Sequence, residues 1–181
     1  MSYCNKHLTK LPPLPENITT LDCSLNWLVK IDKLPASLTY VNCTNNCLTS
    51  LPERLPENLV ELYCSINCLP KLPERLPTTL RILFCWKNRL IKLPEKLPEI
   101  LELDCRMNLI TKLPKLPDSL INSWIYQNEF LFNIGNNLKL INYFTMKNYR
   151  ILVKLQIISK REKSKMNVYM NRDISRECGK Y

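Results

Sequence analysis

The stretch LPENLVELYCSINCLPKLP, residues 55–73, decides the fold of this chain. Related stretches precede and follow it at intervals of 20 or 21 residues, and about ten positions recur in register across five copies. The repeating unit is L-x-x-L-x-C-x-x-N-x-L-x-x-L-P-x-x-L-P. A sixth copy is degenerate, and a zeroth copy survives as residues 8–12. This period is typical of a solenoid, in which stacked copies bury one continuous core.

The L-x-x-L-x-C part of each copy predicts a short strand, because residues two apart on a strand point to the same side. One strand cannot bury its apolar side alone, so stacked copies form a parallel sheet with strands about 4.8 Å apart. The Leu-Pro pairs of the return path disfavour a helix, since Pro lacks a backbone donor and makes the preceding residue extended. We therefore expect a strongly curved solenoid with a concave sheet face and an extended, polyproline-like convex face.

Two columns of the repeat are predicted to be structural. A buried free Cys behaves as a small hydrophobic residue. An Asn at a fixed turn can bond backbone groups of its own and the neighbouring coil, which gives a ladder. The predicted buried Cys column is Cys23, Cys43, Cys64, Cys85 and Cys105. The predicted Asn ladder is Asn26, Asn46, Asn67, Asn88, Asn108 and Asn128.

Two further cysteines, Cys47 and Cys68, each follow a ladder Asn directly in adjacent copies. We expect both near the surface, with their sulfur atoms about one strand spacing apart. They could pair on oxidation, but free thiols are expected in a reducing compartment. Their spacing from Cys43 and Cys64 also invites a zinc interpretation. The core column explains Cys43 and Cys64 without a metal, so no metal and no other cofactor is predicted.

Residues 55–73 resemble the leucine-rich-repeat family, in particular the short subclass of bacterial effectors delivered into host cells. Similar repeats occur in proteins of large DNA viruses of amoebae, whose Asn-, Lys- and Ile-rich composition this chain shares. The resemblance covers roughly residues 8–134 and implies a leucine-rich-repeat solenoid that binds protein partners. Some effectors of this subclass carry a ubiquitin-ligase domain after the repeats. We expect no ligase activity here, although a ligase remnant is an alternative, because only about 47 residues follow and Cys178 lacks the Cys-x-Asp context.

The outward side chains of the predicted strands form the sheet face, and aromatic residues cluster on it. Exposed apolar surface rich in Trp and Tyr is typical of a binding site. Nearby carboxylates make this face mildly acidic, which disfavours nucleic acid there. Two alternatives remain open: aromatic residues suit strands in any case, or the C-terminal segment covers them. The predicted protein-binding residues are Tyr40, Tyr63, Phe84, Trp86, Asp104, Arg106, Trp124 and Tyr126, with Tyr63, Phe84 and Trp86 expected to form one patch.

Residues 135–181 differ from the repeats in charge. They carry 11 basic and 3 acidic side chains, a net charge of +8, against +2 for residues 1–134. Apolar residues recur there at helical spacing over about 137–165, which predicts an α-helical C-terminal cap, with a strand over 151–159 as the alternative. A second hypothesis is that the basic residues of 147–165 tether the protein to nucleic acid or to an acidic membrane surface.

Catalysis is not predicted. His7 is the only His and lies in the frayed zeroth copy, so a Ser/His or Cys/His nucleophile system has no promising base. With two Gly, the chain has no phosphate-cradling motif. It also has no apolar run of the length that a membrane span or a secretion signal requires. We expect a monomeric intracellular protein of the cytoplasm, or of the host cytoplasm if it is viral or an effector.

Overall fold

The computed structural model describes residues 1–125 and 127–128, which form a parallel six-stranded sheet with the strands in sequence order. Each strand has three residues. The six full coils of the solenoid, numbered 1 to 6 in chain order after the partial zeroth coil, contribute one strand each. The strands are β1 (Thr20–Asp22), β2 (Tyr40–Asn42), β3 (Glu61–Tyr63), β4 (Ile82–Phe84), β5 (Glu102–Asp104) and β6 (Asn122–Trp124). The prediction of a parallel-sheet solenoid is confirmed. The predicted helical cap and the boundary at residue 134 lie outside the described residues.

The core fixes the register of the sheet. The middle residue of one strand pairs with the middle residue of the next, as Leu21 does with Val41 and Val41 with Leu62. A slip of one residue would turn these apolar side chains to solvent. Leu21 and Leu62 are fully buried, and so is the Cys that follows each of the strands β1 to β5. Each buried Leu stabilises the fold by about 2 kcal/mol, so the register is strongly specified.

The return path contains no helix among the described residues. A turn carries the chain back into each strand, and it is one residue shorter before β5 than before its neighbours. In most coils an N–H three residues after a Pro closes the turn, as Leu80 N–H does by donating to Pro77 O at 3.1 Å. In coil 5 one residue is missing between Pro98 and Ile100, and there Ile100 N–H donates to Pro98 O at 2.7 Å. The tighter turn absorbs the missing residue, so β5 keeps its register.

A residue with left-handed backbone stands immediately before every ladder Asn. The φ angles in this column lie between 52° and 57° at Leu25, Asn45, Ile66, Lys87, Met107 and Gln127. The left-handed region costs an L-residue roughly 1–2 kcal/mol. The cost is offset because the backbone N–H groups here bond the next coil, as Ile66 N–H does with Trp86 O at 2.9 Å. Sequence reasoning missed this column, since only Asn45 is of a type that favours such geometry.

The N-terminal edge of the sheet is covered by the first residues of the chain. Ser2 forms a parallel bridge with Asp22, and Tyr3 N–H donates to Asp22 O at 2.6 Å. The amino group of Met1 donates to Thr20 O at 2.7 Å. Residues 1–5 therefore add part of a strand to the zeroth coil, ahead of the residues 8–12 recognised from the sequence.

Candidate functional site

The ladder asparagines lie beneath one edge of the sheet and connect adjacent coils. In the central example, Asn67 Nδ2 donates to Cys43 O of the preceding coil at 3.0 Å and to Cys64 O of its own coil at 3.2 Å. Its Oδ1 accepts Leu48 N–H at 2.9 Å. Asn26, Asn46, Asn88, Asn108 and Asn128 repeat this pattern. Each side chain satisfies buried backbone groups of two coils, so its role is structural.

The cysteines that follow the strands lie in the core. Cys23, Cys43, Cys64, Cys85 and Cys105 are all 0% exposed. Burial raises the pKa of Cys23 and of Cys64 to about 12 and raises the pKa of the other three as well. Because the thiolate is the reactive form, these five thiols are chemically inert at neutral pH.

Four aromatic side chains form a continuous run on the sheet face. The ring centroids of Tyr40 and Tyr63 are 5.5 Å apart, and those of Tyr63 and Phe84 are 5.2 Å apart with planes at 75°. The run continues from Phe84 to Trp124, at 5.9 Å and 76°. All four side chains are half-buried. Edge-to-face contacts of this kind hold the rings in place and leave part of each accessible to solvent.

Trp86, expected to extend the Tyr63–Phe84 patch, takes part in a different cluster. The guanidinium carbon of Arg106 lies 5.4 Å from the centre of the Trp86 ring, a cation–π geometry. The Nε of Arg106 also donates to both carboxylate oxygens of Asp104 at 3.1 Å. Asp104, Arg106 and Trp86 therefore form one connected cluster beside the aromatic run.

Asp104 differs from its predicted place on the acidic surface, because it is only 2% exposed. Phe84 of coil 4 and Trp124 of coil 6 are in contact across it, and Arg106 pairs with it from the side. Burial raises the pKa of the Asp104 carboxyl to about 6, although the charge and hydrogen bonds of Arg106 act in the opposite direction. Sequence spacing placed Asp104 on the correct side of the sheet, but it could not show that two large rings cover it.

The remaining carboxylates of the sheet face stay partly accessible. The Tyr63 hydroxyl donates to Glu61 Oε2 at 2.9 Å, and Asn122 Nδ2 donates to Glu102 Oε1 at 3.4 Å. Burial raises the pKa of Tyr63, and the bond to Glu61 raises it further, so the phenol keeps its proton. The face is therefore an aromatic run flanked by the half-buried carboxylates of Asp22, Glu61 and Glu102.

A second apolar surface lies beside coil 1 and was missed from the sequence. Leu25, Trp27 and Val29 are 47%, 56% and 52% exposed, and the His7 ring lies 5.0 Å from that of Trp27. The repeat pattern conceals this cluster, because its residues occupy variable positions of the unit.

Tyr126, a predicted binding residue, lies outside the described residues. Within residues 1–125 and 127–128, no group of His, Cys, Asp or Glu could hold a metal ion.

The parallel sheet, the asparagine ladder and the Leu-Pro returns together define a leucine-rich-repeat solenoid with short repeats. Solved structures of bacterial effectors share this architecture. YopM from Yersinia enterocolitica is 36% identical with a TM-score of 0.64, and the match covers 67% of this chain and 27% of that one. The leucine-rich-repeat domain of a Shigella effector is 31% identical with a TM-score of 0.64, covering 68% of this chain and 56% of that one.

A further structure, of YopM described as a leucine-rich effector protein from Yersinia pestis, is 32% identical with a TM-score of 0.58. This match covers 70% of this chain and 43% of that one. The chain thus spans between about a quarter and just over half of the length of these proteins. No protein-family model and no curated protein matches the sequence.

The chain is a leucine-rich-repeat protein similar to these bacterial effectors. Such a likeness suggests a protein-interaction module, in agreement with the resemblance found in residues 55–73. The part of the chain that the structure describes contains no helix that could span a bilayer.

Proposed function

We propose that the chain is a non-catalytic module that binds a protein partner through the sheet face. The observation that carries this proposal is the run of Tyr40, Tyr63, Phe84 and Trp124, whose rings touch in series at 5.2 to 5.9 Å. Rings already held by their neighbours lose little conformational freedom on binding, so more of the contact energy appears as affinity. Trp and Tyr in such positions dominate the energetics of many interfaces.

The charge around the run defines the partner further. The carboxylates of Glu61 and Glu102 flank the rings, whereas the Asp104 charge is buried and paired with Arg106. A partner segment with an apolar side chain between Lys or Arg residues would match both features. Carboxylates at the rim of an interface mainly set the rate of association and its salt dependence. The rings should therefore control affinity, and the carboxylates should control how strongly added salt slows binding.

The proposal is tested by capture of a partner from cell lysate on the full chain, followed by a titration of the purified partner against purified variants. The Tyr63→Ala, Phe84→Ala, Trp86→Ala variant removes rings from the centre of the face. The matched control changes Glu53, Glu57 and Glu95 to Ala on the return path, where all three side chains are exposed. Both variants are first compared with the wild type by circular dichroism and urea denaturation.

We expect the ring variant to bind the partner at least about tenfold more weakly, because one interfacial ring contributes about 1–2 kcal/mol or more. The return-path control should bind as the wild type does. A third variant neutralises Lys160, Arg161, Lys163 and Lys165 with Gln. If binding survives the ring changes but not this neutralisation, the sheet face is not the site and the basic segment 147–165 is.

A further inference from the structure

Cys47 and Cys68 occupy the same position in coils 2 and 3. The pairing of β2 with β3 aligns residues 21 apart, as Val41 and Leu62 are. The same register continues past the strands, where Asn46 N–H donates at 3.1 Å to the O of Ile66, the residue before its register partner Asn67. It persists on the far side, where Cys68 N–H donates to Leu48 O at 2.9 Å. Hydrogen bonds on both sides of Cys47 therefore place Cys68 directly beside it.

The local backbone of the two cysteines is also the same. Each follows a ladder Asn that follows a left-handed residue, with φ of 57° at Asn45 and 52° at Ile66. Equivalent backbones in adjacent coils place the two Cα atoms about one strand spacing, roughly 4.8 Å, apart. A disulfide requires a Cα separation of about 4.4–6.8 Å. The Cα separation is therefore within the range that a disulfide between coils 2 and 3 requires.

The other described cysteines do not share this arrangement. The five core thiols are fully buried with raised pKa, whereas Cys47 is exposed and Cys68 is half-buried. Cys4 is half-buried in the zeroth coil, where its Sγ accepts the Ser24 hydroxyl at 3.4 Å. Among the described residues, only Cys47 and Cys68 combine access to solvent with a thiol at the equivalent position of the next coil.

We infer that Cys47 and Cys68 form a dithiol modification site that low-molecular-weight disulfides, such as oxidised glutathione, convert into a disulfide between coils 2 and 3. The Cys47 thiolate forms a bond to one sulfur of the small disulfide, whose S–S bond breaks and releases one small thiolate. The Cys68 thiolate then forms a bond to Cys47 Sγ and releases the second. The two cysteines are oxidised, the small disulfide is reduced to two thiols, and the protons of Cys47 and Cys68 pass to the leaving thiolates.

The second step is intramolecular, which decides the product. Cys68 is held beside Cys47 at an effective concentration of millimolar or more, so the mixed disulfide does not accumulate. The bridge links two coils that already touch and closes a loop of 20 intervening residues. Closing such a loop restricts the unfolded chain, so oxidation should raise the urea midpoint without altering the sheet.

The test uses the full chain, reduced and then incubated with oxidised glutathione at neutral pH. Free thiols are blocked, and intact mass and protease fragments are measured by mass spectrometry. The wild type should lose two hydrogen atoms and yield a linked fragment pair containing Cys47 and Cys68. The Cys47→Ser variant should instead keep glutathione on Cys68, with at least about tenfold more stable adduct than the wild type. A variant with Cys4→Ser and Cys178→Ser should form the same bridge as the wild type.

Two results would overturn the inference. One is a wild type that carries stable glutathione adducts on Cys47 and Cys68 without a linked pair. The other is a linked pair that contains Cys4 or Cys178, or that disappears in the variant lacking both. Urea denaturation of each species supplies a second readout, because the bridged wild type should unfold at a higher midpoint than its reduced form, and the Cys47→Ser variant should show no such rise.

Discussion

The segment from the end of each strand to the ladder Asn and the outward face of the sheet are built from the same six coils, yet only the first repeats from coil to coil. In that segment every coil carries the same pattern: a buried residue after the strand, a left-handed residue and a ladder Asn. On the sheet face, the third strand residue changes from Asp to Asn, Tyr, Phe, Asp and Trp from β1 to β6. The buried position after the strand and the ladder Asn meet equivalent neighbours above and below, so the residue type recurs there almost unchanged, whereas the left-handed position keeps its geometry with different residues.

The outward positions do not have the same environment in every coil, and the contacts between their side chains do not follow the sequence repeat. The sheet face joins Phe84 to Trp124 across an intervening coil and buries Asp104 between them. The comparison separates the two roles of the molecule: stability resides in the repeated columns, and a specific surface resides in the unrepeated ones. Substitutions at the two kinds of position should therefore differ in their effect on the free energy of unfolding.

The largest effect is expected for Asn67→Ala. The change removes donors to Cys43 O and Cys64 O and the acceptor for Leu48 N–H, all buried. Leu48 N–H would be left without its acceptor, which costs about 1–3 kcal/mol, whereas Cys43 O and Cys64 O would each lose one bond but keep those from Asn46 and Asn88. With about 1 kcal/mol for each lost bond, the free energy of unfolding should fall by about 3–4 kcal/mol in urea denaturation. The control is Asn58→Ala on the exposed return path, where the amide makes one bond of 3.4 Å and the loss should stay within about 0.5 kcal/mol. Equal losses in the two variants would contradict the structural role of the ladder.

Cys64→Ser tests the core column. A hydroxyl in place of a fully buried thiol carries a larger desolvation cost, and the free energy of unfolding should fall by about 2 kcal/mol. Cys47→Ser, the same exchange at an exposed site, should change it by less than about 0.5 kcal/mol. Urea denaturation under reducing conditions measures both. Equal tolerance of the two changes would mean that the core does not distinguish sulfur from oxygen.

Asp104→Asn should have the opposite sign and stabilise the protein at pH 7. The folded-state pKa of about 6 exceeds the ordinary value of 3.8, so between these values the folded protein binds more protons than the unfolded chain. The free energy of unfolding of the wild type therefore falls as pH rises through this interval. The interval corresponds to at most about 3 kcal/mol, and the weakened bond to Arg106 reduces the expected gain to about 1–2 kcal/mol.

Asparagine is suited to this position, because Asn42 stands in the same register and its Oδ1 accepts Thr44 N–H at 3.0 Å. The stability difference between the Asp104→Asn variant and the wild type should grow between pH 4 and pH 6.5 in urea denaturation. A pH-independent difference for Asp104→Asn would show that its carboxyl is not the group responsible.

The smallest effect is expected for Ile66→Asn. A β-branched residue is the least suited to φ of 52°, whereas Asn tolerates the left-handed region. The change should raise the free energy of unfolding by about 1 kcal/mol. The reverse exchange in the adjacent coil, Asn45→Ile, should lower it by a similar amount in thermal denaturation. If both changes move stability in the same direction, backbone strain is not the controlling factor.

The repeat period predicted most of the fold from the sequence. The spacing of Cys23, Cys43 and Cys64 gives the strand positions and the pairing register, and the Leu-Pro pairs predict that the return path has no helix. These inferences succeed because a periodic position has the same environment in every coil. The positive φ angles before the ladder Asn could not be predicted in this way. Their geometry recurs, but the residue types at Leu25, Ile66 and Lys87 share no preference for it.

The candidate site was less accessible to such reasoning. Spacing assigned Tyr63, Phe84 and Trp86 to the same side of the sheet, but it does not determine which way a large side chain leans. Phe84 leans towards Trp124, while Trp86 meets Arg106. The burial of Asp104 follows from these side-chain directions, which depend on size and charge in three adjacent coils together.

The contact between Phe84 and Trp124 has a thermodynamic consequence for the solenoid as a linear array. Repeat proteins are usually described by an intrinsic energy for each unit and a coupling between nearest neighbours. A ring contact at 5.9 Å between the fourth and sixth units adds a coupling between second neighbours. Fraying of the sixth unit therefore also removes the cover from a carboxylate in the fifth and a partner from a ring in the fourth. These three units should melt as one cooperative block, while the first three follow the nearest-neighbour description.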